Sequence, residues 1–225
     1  MSMEYRLIRS KRRKKTMTLK IERAGDVVIY APFKTPHREV ENFFRENLPW
    51  IQKKISENKT RWKEEKRFVE GEEFYYLGKL YPLYYSNKYW NGDGLRLEED
   101  RFLLDENNRG SIRQAFIQWY KRMAENILLK RVSYYSELMG LFPFSLKITN
   151  ALKRYGSCSH KNSLCFSWRL VLAPPSIIDY VVVHELSHIK EKNHSKNFWR
   201  LVSKFIPDYK SKRVWLRKNR HIFDL

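Results

Sequence analysis

Residues 16–21 (TMTLKI) alternate apolar and polar side chains. The apolar run Val27–Tyr30 follows Gly25-Asp26 and stops at Ala31-Pro32, which predicts a hairpin. Between Pro36 and about Trp62 the spacing changes. Val40, Phe43, Phe44, Leu48, Ile51 and Ile55 suit one or two amphipathic helices, with Pro49 opening the second. Four short aromatic strands come next: Phe74–Leu77, Leu80–Tyr85, Leu95–Leu97 and Phe102–Leu104. They are divided by Gly78, by Asn91-Gly92-Asp93-Gly94 and by Glu98–Asp100, and predict a small twisted sheet. A long helical period then runs from Ile112 through Phe116, Trp119, Tyr120, Ile127 and Val132 to about Leu138, where Gly140 and Pro143 end it.

Further on, Leu146–Thr149, Leu152–Tyr155 and Leu164–Leu170 read as strands. Pro174-Pro175 opens a helix reaching about Lys192, and shorter helices are expected at Ser195–Phe205 and Asp208–Lys218. The pattern is α+β. It predicts an N-terminal mixed β/α region over residues 1–105, followed over residues 106–225 by a half made of a long helix, a small sheet, a core helix and C-terminal helices.

With 42% hydrophobic and 15% aromatic residues, the 225-residue chain has enough apolar surface for a core. It has neither the apolar run of a signal peptide nor the roughly 18 apolar residues of a membrane helix, so a soluble, cytoplasmic protein without a membrane partner is expected. Cys158 and Cys165 are the only cysteines, which excludes a disulfide scaffold. The net charge of +20 is uneven: residues 1–105 hold 23 basic and 17 acidic side chains, residues 106–225 hold 22 and 8. Such a surface attracts polyanions, so nucleic acid and nucleotide phosphates are candidate partners. No recognition module accompanies the charge, and the basic run Arg9–Lys15 reads as a solvated loop before a strand.

The chemistry lies in His184-Glu-Leu-Ser-His188-Ile-Lys-Glu-Lys-Asn-His194. The apolar stretch Ile177–Val183 before it predicts a core helix, where imidazoles and a carboxylate cost free energy unless partners satisfy them. His184 and His188, at i and i+4, share one face and can share one ion. Glu185 stands beside them, off the ligand line, suited to hold a water and take its proton. A continuing helix would carry His194 about 9 Å along the axis and roughly 120° away. The chain must therefore leave the helix and turn back, with Asn193 as a left-handed C-cap and Ser195 capping the next helix. By composition alone, this motif with its third histidine arises in roughly one such chain in 3,000, so coincidence is a poor account. Three nitrogen ligands with an open fourth position describe a catalytic metal. Zn2+ fits best, and Ni, Co or Mn also suit such a site.

These residues, with Asn193-His194-Ser195 and Phe198-Trp199, resemble the YgjP-like metal-dependent hydrolases, relatives of the SprT and WLM zinc peptidases. Arg154-Tyr-Gly-Ser-Cys158-Ser, Trp168–Pro175, Tyr30-Ala-Pro-Phe33 and Trp50-Ile51 carry the likeness over most of the chain. Tyr155 stands where the family more often has Trp. Glu191 stands where the metzincin pattern has Gly, which favours the YgjP/SprT arrangement. The resemblance implies a zincin-like core.

The expected activity is metal-dependent hydrolysis, with His184, His188 and His194 as ligands and Glu185 as general base. Three substrate readings stay open: peptides, phosphate compounds such as nucleotides, and proteins on DNA, as with SprT-like relatives. Leu164, Phe166, Trp168 and Leu170 alternate with Cys165, Ser167 and Arg169, so this strand is a candidate for pairing with extended substrate. Tyr209 and Arg213 are candidate oxyanion stabilisers. Gly156 permits close backbone approach to the cleft, Cys158 reads as a buried structural thiol ahead of a metal ligand, and Trp199 and Trp215 read as core aromatics.

Overall fold

The computed structural model describes residues 4–22, 26–59, 66–88 and 94–225, without the side chains of 57–59. The hairpin turn before Asp26, the end of the second helix near Trp62 and most of the Asn91–Gly94 turn lie outside the described residues. The chain forms two compact units, Met1–Glu65 and Lys66–Leu225.

In the first unit, β1 (Tyr5–Ser10), β2 (Thr18–Ile21) and β3 (Val27–Pro32) form a sheet in the order β1-β3-β2. The expected hairpin strands pair antiparallel, Thr18 with Tyr30 and Ile21 with Val27. Strand β1, which the apolar pattern did not mark, runs parallel on the other side of β3. Helices α1 (His37–Glu46) and α2 (Leu48–Lys59) follow. Val27, Ile29 and Ala31 from one face of β3 form a small core with Val40, Phe44 and Ile51. The basic run ends β1 and continues into the following loop, where Arg9 donates to the carbonyls of Phe33 and Thr35 and Arg13 to Thr18 Oγ1.

The second unit begins forty residues before the expected boundary. Strands β4 (Glu73–Tyr76), β5 (Lys79–Ser86), β6 (Leu95–Glu98) and β7 (Arg101–Asp105) form a sheet in the order β4-β5-β7-β6. Its apolar face needs a cover, which helix α3 (Ile112–Met139) provides. Phe74 stacks on Phe116 at 4.2 Å between centroids, and Phe102 meets Trp119 edge-on at 5.0 Å. Tyr120, buried in α3, donates to the carbonyl of Tyr75 at 2.6 Å. The aromatic strands thus share one core with the C-terminal elements, and the 1–105/106–225 division does not describe the packing. Helix α3 ends on Gly140 at φ 65°, a left-handed cap.

A second sheet, β8 (Ser145–Thr149), β9 (Gly156–Cys158) and β10 (Ser163–Ser167), has the order β8-β10-β9. Leu152–Tyr155 forms no strand. Leu152 is exposed, and the chain bends there before entering β9. Strand β10 stops at Ser167, and Trp168–Leu172 is a buried 3-10 turn. Then come α4 (Pro175–Lys190), α5 (Lys196–Phe205) and α6 (Tyr209–Lys218). Helix α4 is buried on nearly every side through Ile177, Ile178 and Val181–Val183. Arg131 of α3 clamps it in place, its Nε and Nη2 donating to the two carboxylate oxygens of Asp179 at 2.5 and 2.8 Å. No helix among the described residues is long and apolar enough to cross a membrane.

Candidate metal centre

The last two turns of α4 carry His184, Glu185 and His188. The helix ends at Glu191, in an extended conformation (φ −117°, ψ 99°) and not a left-handed one. Asn193 is therefore not the cap. Its Oδ1 accepts from the Ser195 N–H at 3.2 Å and shapes the turn that returns the chain, while Ser195 Oγ caps α5 by accepting from Phe198 N–H at 3.3 Å. This reversal brings His194 back over the helix. The three imidazole centroids lie 5.0, 4.9 and 4.7 Å apart, and ligand atoms of all three lie within 4.8 Å of one another.

Their protonation fits a cation. His188 Nδ1 faces the Glu191 carbonyl at 2.9 Å. A carbonyl only accepts, so Nδ1 carries a proton and Nε2 is the nitrogen left to face a cation. The Nε2 atoms of His184 and His194 are 3.0 Å apart. Two nitrogens on one tetrahedral zinc, each ~2.05 Å from it, would be about 3.3 Å apart, so this pair is already close to a ligating arrangement. His184 is held neutral down to a pKa of about 3, first by burial and then by the neighbouring His188 and His194 and by Arg213. Burial also lowers His194. Neutral imidazoles are what a metal requires.

Glu185 is 6% exposed, and burial pushes its carboxyl up to about 8 against a smaller opposing pull from the charge of Arg154. It rests against the backbone of β9. A Cβ on Gly156 would come within 2.6 Å of Glu185 Cγ and 2.8 Å of Oε1, so only glycine leaves room for the carboxylate. The close approach expected of Gly156 is thus made to Glu185.

Aromatic rings enclose the imidazoles. Phe198 stacks on His188 at 4.5 Å, and Trp199 on His194 at 5.5 Å. Trp199 is therefore a wall of the site, beyond the core role expected for it. Its ring also stacks with Tyr209 at 5.1 Å and lies 4.5 Å from the Arg213 guanidinium, which brings both candidate oxyanion stabilisers beside the histidines.

The candidate substrate strand differs. β10 is central, pairing parallel with β8 and antiparallel with β9, so neither of its edges is available to a peptide. Ser167 Oγ donates to the Ala151 carbonyl. Arg169 lies in the 3-10 turn, donates to Asn150 Oδ1 at 2.8 Å and covers the Trp168 ring. Cys165 sits opposite Ser157 in the ladder. The outer strand is β9. Ser167 N–H donates to Tyr155 O and Ser159 N–H to Ser163 O, so alternation turns the N–H and C=O of Gly156 and Cys158 away from β10. Cys158 is outside the metal-binding group, and burial raises its thiol.

Sequence spacing missed Tyr180. It lies one turn before His184 on the same face, its hydroxyl 3.5 Å from His184 Nδ1, with a pKa raised by burial to about 12. The i−4 relation to His184 was the available signal. Arg154 and Lys192 were missed as neighbours of the site. Nothing local marks them, because their approach depends on how β9 and the loop after α4 pack.

A family model for the YgjP-like metallopeptidase domain matches residues 15–219. The chain belongs to the YgjP-like family. Among solved structures, the metallopeptidase zymogen abylysin of Pyrococcus abyssi is similar at 20% identity over 41% of this chain and 95% of that one, with a TM-score of 0.38. No curated protein matches. As a member of the YgjP-like metallopeptidase family, the chain is a metal-dependent hydrolase, and the three histidines suit the divalent cation such enzymes need.

Proposed function

We propose that the protein is a zinc peptidase that hydrolyses peptide bonds in extended segments laid along β9. The observation that carries this reading is the convergence of three imidazoles beside a buried carboxylate, at the outer edge of a sheet.

His184, His188 and His194 would hold the cation through one ring nitrogen each. When bound, the cation supplies Lewis acidity towards a water and the scissile carbonyl. Glu185 supplies the base. Neutral at pH 7 with no cation beside it, its carboxyl ionises next to one. An oxygen of Glu185 then takes a proton from the attacking water as the water oxygen bonds to the carbonyl carbon. The same proton passes to the amide nitrogen as the C–N bond breaks, and Glu185 returns to the carboxylate. Gly156 holds this carboxyl in register by leaving it space. Main-chain groups of Gly156 and Cys158 align the substrate by adding it as a strand. Arg213 and Tyr209, gathered on Trp199, would steady the oxygen that gains charge.

The test is elemental analysis of the purified protein, followed by digestion of casein with and without chelator. The Glu185→Gln protein keeps its metal and loses turnover, and His188→Ala loses both. Chelator-resistant cleavage, or full activity in either variant, overturns the reading. Phosphate or pyrophosphate released from nucleoside triphosphates by the native protein but not by Glu185→Gln, without peptide cleavage, replaces it with a phosphohydrolase.

A further inference from the structure

Cations stand at both ends of β9. Lys192, in the loop between His188 and His194, donates from Nζ to Asn162 Oδ1 at 2.5 Å and to the Ser159 carbonyl at 3.4 Å, which sets it at the Cys158 end. Arg154 precedes Gly156 by two residues, at the end where Gly156 touches Glu185, and is exposed. A third cation, Arg213, lies over Trp199, whose ring is 5.5 Å from His194. Acids close by are few. Glu185 is buried against Gly156, Glu191 lines a groove with Lys190, Arg200 and Lys204, Asp208 is bonded to Lys212 at 2.9 Å, and Asp224 stands near Tyr155 together with Arg220.

We propose that the cleft selects acidic polypeptide: segments with Asp or Glu on both sides of the scissile bond, met by Arg154 at one end of β9 and Lys192 at the other. This rests on the peptidase reading above. Exposed cations attract carboxylates only weakly one by one, but the field they share raises the local concentration of acidic segments. Polyphosphates would feel the same charge, but the edge itself argues against them. The outward carbonyls of Gly156 and Cys158 need hydrogen-bond donors, which a peptide backbone has and a polyphosphate lacks.

The experiment uses the full-length zinc-loaded protein and a set of peptides of equal length, differing only in acidic, neutral or basic residues flanking one cleavable bond. Acidic peptides are cut with a kcat/KM about 10-fold above neutral ones at low salt, and the preference narrows to about 2-fold at 1 M NaCl as screening takes over. The charge reversals Arg154→Glu and Lys192→Glu each shift the acidic-to-neutral ratio downward by about 5-fold or more, on the side of the bond that each faces. Because the ratio is taken within one variant, a general loss of activity cancels, and the salt profile of the native protein stands if a variant does not fold. Equal cleavage of all three peptide classes, or a salt-independent preference, overturns the inference and leaves the peptidase reading standing. No cleavage of any peptide by zinc-loaded protein, with or without phosphate release from nucleoside triphosphates, overturns both.

Discussion

Replacing Glu185 by glutamine should make the metal-free protein more stable, and more so as the pH rises. The carboxyl titrates near 4.5 when unfolded and near 8 in the folded chain, where burial opposes its charge. Between those values the folded state holds a proton that the unfolded state has released. Stability is therefore complete below pH 4.5 and falls towards pH 8, at about 1.4 kcal/mol per unit. At pH 7.5 the accumulated cost is about 4 kcal/mol, a large share of a domain's ~5–15 kcal/mol. His184 works in the opposite sense. Its pKa falls from 6.5 to about 3, so its contribution is lost as the pH drops below 6.5. The native chain in chelator should thus be most stable between about pH 4.5 and 6.5, with losses on both sides, whereas Glu185→Gln keeps only the acid limb. Urea unfolding of both proteins in EDTA across pH 4.5–8 measures the difference. Parallel profiles would show that the carboxyl is not held neutral by the fold. Repeating the series with saturating zinc should shrink the difference, because the carboxylate then has a cation beside it.

Other outcomes follow from the same geometry. Gly156→Ala puts a methyl 2.6 Å from Glu185 Cγ without backbone strain, so it should lower kcat at least 10-fold while zinc affinity by competition titration changes little. Zinc at 100 times its dissociation constant should stabilise the native protein by about 2.7 kcal/mol in denaturant titrations, an effect largely lost in His194→Ala. Asp179→Ala leaves the Arg131 guanidinium without its bidentate partner and loosens α4 from α3. Both side chains are partly exposed, so the cost should be about 1–2 kcal/mol by urea unfolding.

Much of the architecture could be read from the pattern of apolar positions, and what could not has identifiable causes. Helix α3 was clear because its apolar residues recur on one face for many turns and Gly140 supplies an unambiguous stop. Strand β1 was not, because Arg6 and Arg9 interrupt a segment whose side chains are only half buried. Trp168–Leu172 continued the apolar run of β10, and periodicity cannot separate a buried strand from a buried 3-10 turn. The misplaced boundary at residue 105 had a similar origin. The composition does change there, but the aromatic faces of β4–β7 find their cover in α3, which local pattern cannot reveal. The imidazole cluster was accessible because helical spacing alone brings His184 and His188 together and excludes His194 from a continuing helix. The role given to β10 was not, since which strand of a sheet lies outermost depends on partners elsewhere in the chain.

The three imidazoles differ in what anchors them. His184 and His188 ride on a helix packed on nearly every side, while exposed His194 depends on a short turn closed by Asn193, Ser195 and Lys192. Peeling that turn away disturbs little of the core, so one donor can detach while the other two stay in place. With the ion held as proposed, its exchange with the surrounding pool would be governed by a surface segment, independent of how tightly the domain as a whole resists unfolding.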